Sequence, residues 1–584
     1  MTQETMMTQV DPITLATVWN YFNRICKEMR EFMFRTSPNF LTAKLHDVSV
    51  GIWDTQARAI AIPEGLPGQF IAGGFGIQLI LDMYKDRIYP GDLFLTNDPY
   101  HGGALHLPDW GFMRPIFYKD ELLFMTLSRS HQIDTGGAYP GGYFPGAYDI
   151  IAEGLQIPPV KVVERGVENT ELMRLIWSNT RNPEGVRVDN YALMSSSKIS
   201  ENRIIELLDK YGKDTVFACI EEMFKRTEAG MRAAIREIPD GTYYGEAAQD
   251  HDGSILDVPV WVRLNLIKED DSITLDWSQS DPQTKGFVNS SFANTYSLSM
   301  AFCFLYGDPA LSEYHNYGSM KPFTVIAPEG SVVNPMYPAV LGACPVNVGT
   351  QICEAIIMAL SQAVPKKAIA SWSREYSNFL FGNDPRSNKL YIYVTFNTCG
   401  GPGAVYGYDA YQSGEIITTL GSAAKADIEE EEIRFPWFYR KYQFIPDMCG
   451  AGKWCGSPGI YWEIQNQGGE ATMTTGNALG ETTQGAGALG GHPTPLNKCF
   501  VTRKGEKIPH LVGRIYPIYP DDILTKIVSG GAGVGKPTER DPEKVLEDVI
   551  RELVTIEAAK DIYKVVIDPD KLAIDYEATQ KLRG

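Results

Sequence analysis

The chain has 584 residues and a formal net charge of −19, which makes it too long for a single hydrophobic core and too acidic to suit nucleic acid, whose phosphates require a basic surface. A hydrophobic fraction of 44% with 11% aromatic residues marks it as globular throughout. The longest apolar run, around Leu298 to Tyr306, is about half the length of a membrane span, which excludes a spanning helix there. Met1 to Val10 shows neither the basic nor the apolar region of an export signal, and the nine cysteines are odd in number and scattered, so a cytoplasmic protein with reduced thiols is expected.

Asp11-Pro12 supplies an N-cap and a first-turn proline, and Leu15, Val18, Phe22, Ile25, Met29 and Phe32 then recur at steps of three and four, predicting a helix with a core-facing stripe. Lys44 to Asp54 reads as a strand, with Val48, Val50 and Ile52 on one face and Asp47 and Ser49 on the other. A carboxylate inside such a strand costs desolvation unless it is paired, so Asp47 is either exposed or a ligand.

Chemistry concentrates between Asn97 and Gly137. Phe112 to Tyr118 and Leu122 to Leu127 read as two strands joined at Lys119-Asp120, a hairpin turn. That register places Asp109 opposite Ser130 with His131 beside it, so that His106, Asp109 and His131 can meet at one point. Three of the chain's eight histidines fall at 101, 106 and 131, among glycines and prolines that fix the backbone. Imidazole and carboxylate without thiolate suit a borderline or hard divalent ion such as Zn, Mn or Fe(II).

Asn190 to about Glu237 carries helical periodicity, and Gly241 to Asp276 changes to the period of strands. A helix from about Val348 to Ala363, a glycine-rich β region from Leu390 to Ser529, and a terminal helix from Pro542 to Ile562 capped by Asp541 follow. Gly530 to Lys536 imitates a phosphate-binding loop, but Pro537 stands where a Ser or Thr hydroxyl would hold magnesium, which predicts a structural turn. The stretches Cys399-Gly-Gly-Pro-Gly403 and Gly480 to Gly491 lack the lysine such a loop needs and are candidates to line a cavity. Cys449 and Cys455 are spaced too widely for a usual zinc pair. The expected organisation is α+β, with an N-terminal metal-site domain (1–189), a helical segment (190–240), a central α/β region (241–390) and a C-terminal glycine-rich β region with terminal helices (391–584).

Motifs distributed along essentially the whole chain carry a resemblance. They are Asn97-Asp98-Pro99-Tyr100 with Gly102-Gly103 and His106-Leu-Pro-Asp109; His131-Gln-Ile-Asp134-Thr-Gly-Gly137; Glu153-Gly-Leu-Gln-Ile-Pro-Pro159; Asp281-Pro-Gln with Gly286 and Asn289; and Ser529-Gly-Gly-Ala-Gly with Glu539-Arg-Asp-Pro542. The sequence resembles the B-type subunits of hydantoinases and oxoprolinases, a family that includes the large subunits of acetone and acetophenone carboxylases. The resemblance implies a large fold of mixed β-sheets with a helical middle segment. It also implies a divalent metal, Zn2+ or Mn2+, on Asp47, His106, Asp109 and His131, with Asp134 directly behind them to orient His131 or act as general base. It further implies a separate A-type ATPase partner of actin-like fold that binds ATP and Mg2+ and phosphorylates the substrate. Two reactions are implied: opening of a cyclic amide, or carboxylation of a ketone enol phosphate with bicarbonate. His131-Gln132-x-Asp134 and Pro140-Gly141-Gly142 resemble the ketone carboxylases, so carboxylation is the leading expectation and amide hydrolysis the alternative.

Overall fold

The computed structural model describes residues 10–63, 65–374, 377–411, 416–474, 480–509 and 514–584; the export-signal reading of Met1 to Val10 therefore lies almost entirely outside the described residues. The architecture is mixed helix and sheet with several open sheets, as expected. Helix Pro12–Thr36 starts at its anticipated cap, where Asp11 accepts the Thr14 N–H at 2.8 Å. Its buried stripe runs through Met29 to Met33, whereas Phe32 is only half-buried, because the stripe continues by four residues at that turn.

Seven strands form one fully antiparallel sheet, in the order Ala59–Ala61, Val48–Asp54, Glu121–His131, Asp109–Tyr118, Leu93–Thr96, Val160–Glu164 and Val167–Glu168. On one face Val48, Val50, Ile52, Trp110 and Phe112 pack with helices Pro12–Thr36, Pro183–Tyr211 and Lys213–Arg236. On the other face Trp53, Met113 and Leu127 meet helix Pro67–Tyr84, so both faces are covered and every residue of Val48–Asp54 is buried. The strand begins later than expected because His46 takes a φ of 60° and turns the chain, which leaves Asp47 at the strand's mouth and not inside it.

The helical segment is two helices, Pro183–Tyr211 and Lys213–Arg236, broken at Gly212 with φ 78°. The first is capped by Asn182 and runs unbroken through 189–190, so the expected boundary there divides a continuous helix. A second sheet joins Phe323–Ile326, Ser272–Asp276, Val260–Glu269 and Gly241–Gln249 in that order. Against it packs helix Val348–Ala363, whose ends match the expectation. Helix Phe292–Phe304 holds much of the long apolar run and packs on helix Pro67–Tyr84. The C-terminal region has a four-stranded and a five-stranded sheet; the expected boundary at 390 falls inside strand Lys389–Val394, which pairs along its length with Phe379–Asp384. The terminal helix is also divided, into Pro542–Ile550 and Ile556–Asp561, around Glu552 at φ 57°. No helix among the described residues is long and apolar enough to cross a membrane, and none of the nine cysteines is in a disulfide among the described residues.

Candidate metal centre

Three neighbouring strand ends create the site. His131 closes its strand directly opposite Asp109, and Val48 pairs with Ser130, so Asp47, His131 and Asp109 occupy one row across the sheet. The sequence register put Ser130 opposite Asp109. It holds next to the Lys119-Asp120 turn, but a β-bulge between Ile116 and Phe117 inserts a residue and moves every later pair by one. His106 arrives from the loop before Asp109. Gly103 presses that loop against helix Pro67–Tyr84 at φ 68°, where a Cβ would stand 2.1 Å from the Ala72 carbonyl oxygen.

One donor atom each from His106, Asp109 and His131 lies within 4.8 Å of the others. His106 Nε2 is 3.3 Å from Asp109 Oδ1, and His131 Nδ1 is 3.6 Å from Asp47 Oδ2. Asp109 Oδ2 and His131 Nε2 are buried without a hydrogen-bond partner. These two orphaned ligand atoms, on one carboxylate and one imidazole beside His106 and Asp47 and with no thiolate in the group, fit a divalent cation of the Zn or Mn type.

The local electrostatics differ from donor to donor. Burial pushes the Asp47 carboxyl up to about 7, and Asp109 adds to the shift. Burial works in the same direction on Asp109, but His106, His131 and Arg129 outweigh it and hold this carboxyl below the usual range. Burial and the neighbouring His106 push His131 down to about 3, so its ring is neutral, the form that ligates. His106 is raised because Asp109 and the Gly342 carbonyl outweigh its burial. Arg129, fully buried behind the row, donates to the Gln69 carbonyl at 2.8 Å, and its burial draws it down to about 10.

Residues outside the candidate ligand set hold the donors in place. Gln69 Nε2 donates to both Asp47 Oδ1 at 2.9 Å and Asp109 Oδ1 at 3.1 Å; its only sequence signal is a lone amide near the start of a strongly apolar helix. His106 Nδ1 meets the Gly342 carbonyl at 2.6 Å, which turns Nε2 toward Asp109. The Gly342 segment is itself fixed by buried Glu153, whose two oxygens accept the Leu341 N–H at 2.8 Å and the Gly342 N–H at 2.7 Å. In Glu153→Gln one of those oxygens becomes an NH2 facing an N–H, so His106 loses its fixed acceptor. Metal affinity measured by competition with a chelator is expected to fall about 10–100-fold; an unchanged affinity would remove Glu153 from this role.

Other expected residues lie elsewhere. His101 has an exposed side chain beside Asp98 and stays outside the centre. Asp134 is fully buried, but its carboxylate accepts from the Arg181 backbone N–H at 2.5 Å and guanidinium at 3.1 Å, whereas the His131 ring neighbours Asp47, His106 and Tyr143. Gln132 points away from the centre: its Nε2 donates to Ser130 and Asp189, and its Oε1 accepts from Asn190. The glycine stretch after Val528 is packed against other backbone, and a Cβ on Gly530 or Gly531 would stand 1.7 or 2.0 Å from the Ser457 or Pro402 carbonyl oxygen. Every backbone N–H from Gly530 to Gly535 is donated to a protein carbonyl, which leaves none for a phosphate. Gly400, Gly403, Gly487 and Gly491 likewise press against backbone and do not line the cavity at the centre, but Gly487, with Ala486 and Ala488, lines a separate cavity against helix Val348–Ala363.

The chain as a whole is similar to known proteins. The family model for hydantoinase B/oxoprolinase matches residues 11–537. The beta chain of the caprolactamase of Pseudomonas jessenii is 30% identical over 574 residues, covering 96% of this chain and 97% of the relative. The crystal structure of the ATP-dependent caprolactamase from that organism superposes with a TM-score of 0.90 at 28% identity, over 99% of this chain and 100% of that one. A putative D-/L-hydantoinase component of the B type, from a Pseudomonas species, is 28% identical over 99% of both chains. The delta chain of the acetophenone carboxylase of Aromatoleum aromaticum is 25% identical over 87% of this chain and 79% of its own length. With a family match across most of its length and a relative of 30% identity aligned nearly end to end, the chain belongs to the hydantoinase B/oxoprolinase family.

Proposed function

We propose that this chain is the metal-binding subunit of an ATP-dependent cyclic amide hydrolase, acting with a separate ATPase partner in the cytoplasm. The observation that carries the reading is the buried group of His106, Asp109 and His131, with half-buried Asp47 beside His131, next to an apolar cavity. The end-to-end similarity to the caprolactamase and hydantoinase chains supports it. Ketone carboxylation is favoured by Gln132 and by Pro140-Gly141-Gly142; Gln132 makes its contacts with Ser130, Asp189 and Asn190 and is not among the residues lining the cavity, whereas Gly141 packs against Phe379 of its wall.

Asp47, His106, Asp109 and His131 would hold the ion, Zn2+ or Mn2+, with Gln69 aligning the two carboxylates. When bound, such an ion supplies Lewis acidity for a developing negative oxygen and lowers the pKa of water. The chain encloses the phosphorylated ring behind apolar walls, which limits its loss to bulk water. Asp134 acts at a distance: through Arg181, which also donates to the Gly136 and Gly137 carbonyls at 3.2 and 2.6 Å, it sets the loop that leads to Tyr143 at the cavity wall.

ATP and its Mg2+ belong to the partner on this reading. The isolated chain is expected to show no ATP binding by calorimetry, and Lys536→Ala, at an exposed position, should change turnover of the complex by no more than about twofold. Loss of activity in that variant would restore a nucleotide role for the loop. For the reaction itself, the complex should convert a lactam or hydantoin to its ring-opened acid with ATP consumption. Labelled bicarbonate appearing in a β-keto acid from a methyl ketone, with no ring opening, would transfer the reading to carboxylation.

A further inference from the structure

A further buried carboxylate, Asp189, stands on helix Pro183–Tyr211 behind the strand ends that carry the donors. The groups that donate to it are uncharged. Ser37 Oγ meets its Oδ1, while Gln132 Nε2 at 2.9 Å, Ser130 Oγ at 3.3 Å and Asn39 Nδ2 at 3.5 Å meet its Oδ2. Burial raises this carboxyl above its ordinary value, and the same hydrogen bonds oppose the shift. Neutral donors offset the burial of a carboxylate less fully than a cation would, so keeping the charge there has a cost.

Three of these donors converge on His131. Ser130 and Gln132 flank it in the chain, and the Asn39 amide nitrogen that reaches Asp189 also donates to the His131 carbonyl at 2.7 Å. The hold extends to the cavity wall, because Ser37 Oγ accepts the Asn39 N–H at 3.1 Å and Asn39 Oδ1 caps the Leu41 N–H at 3.0 Å, with Leu41 among the lining residues. A carboxylate suits the position because both of its oxygens only accept, so donors from the 37–39 and 130–132 segments can meet it together. Resting on the metal-binding part of the reading above, we infer that Asp189 is the positioning residue of His131: through Ser130, Gln132 and Asn39 it fixes, from the helical layer, where the imidazole stands relative to Asp47 and Asp109. Gln132 belongs to this support, in keeping with its contacts away from the cavity.

The test uses the full chain, freed of metal and titrated with Zn2+ against a chelating dye, with Co2+ loaded in parallel because its visible absorption reports the geometry of the ligands around the ion. In Asp189→Asn an NH2 replaces one oxygen and faces groups that donate. Zn2+ affinity should fall about 10–100-fold, the effect of losing a partner that orients a ligand, and the Co2+ bands should shift. Asn39→Ser retains a hydroxyl to cap the Leu41 N–H but is too short to donate to the His131 carbonyl, and it should lower affinity in the same way. The double variant Asp189→Asn with Gln132→Glu exchanges donor and acceptor between the two side chains, and it should recover most of the affinity and the native bands. Denaturation of the metal-free proteins separates positioning from folding. Unchanged Zn2+ affinity and Co2+ bands in both single variants overturn the inference and leave the proposed centre standing. A loss that follows the denaturation midpoint, with native Co2+ bands in the protein that remains folded, also overturns it and makes Asp189 a residue of the fold alone. Failure of the unaltered chain to take up either ion overturns the metal centre together with the inference.

Discussion

His131→Ala should strip the chain of its divalent ion and abolish turnover by the complex while leaving the fold in place. The side chain is buried with an unpartnered Nε2, so on the proposed reading it would contribute a ligand and almost no structural hydrogen bonding. The backbone of the same residue does hold the sheet end: its N–H reaches the Asp47 carbonyl at 3.4 Å, and its carbonyl accepts from Asn39 Nδ2 at 2.7 Å. Alanine keeps both contacts. The loss should therefore appear as metal affinity falling by more than the roughly 10–100-fold typical of losing an outer partner, with circular dichroism unchanged. Elemental analysis after dialysis gives the result directly, and His106→Ala should behave alike. Stoichiometric metal in the purified variant would show that the ion sits elsewhere.

Three of the four candidate donors, His106, Asp109 and His131, are legible because they are close in sequence and separated by a short hairpin, whereas Asp47 lies before another strand and joins them only with the resemblance. Lys119 and Asp120, with φ of 49° and 65°, form the tight turn that the polar break announced. From such a turn, pairing can be counted outward. The count failed by one residue at the bulge after Ile116, which carries no composition signal. Helix Val348–Ala363 was readable to the residue because apolar periodicity fills it. What stayed hidden was contact across long sequence distances. Glu153 reaches Leu341 and Gly342 over 188 and 189 residues, and nothing local in either segment reports the other. Gln132 and Asp134 show the same limit: their neighbours in sequence are candidate ligands, but their hydrogen-bond partners are Asp189, Asn190 and Arg181, farther along the chain.

Arg374→Met is expected to be the most destabilising single change outside the centre. The guanidinium and the Glu354 carboxylate are 1% and 2% exposed, and they meet through Nη2–Oε2 at 2.7 Å and Nε–Oε1 at 3.3 Å. Arg374 also donates to the Ala248 carbonyl at 2.9 Å, the Gln484 carbonyl at 3.1 Å and the Thr483 hydroxyl. One side chain thus ties helix Val348–Ala363 and strand Gly241–Gln249 to the C-terminal region. Burial already raises the Glu354 carboxyl above its ordinary value, with Arg374 opposing the shift, so deleting the cation leaves a charge with no compensation. Breaking a buried pair from one side costs about 3–5 kcal/mol. Chemical denaturation should show that loss as a lowered midpoint, and the double variant Arg374→Met with Glu354→Leu should recover a large part of it, because removing both charges also removes their desolvation. Metal content should be unaffected in either protein, since neither residue touches the four donors. A single variant with an unaltered midpoint would mean that the ion pair contributes nothing to holding these regions together.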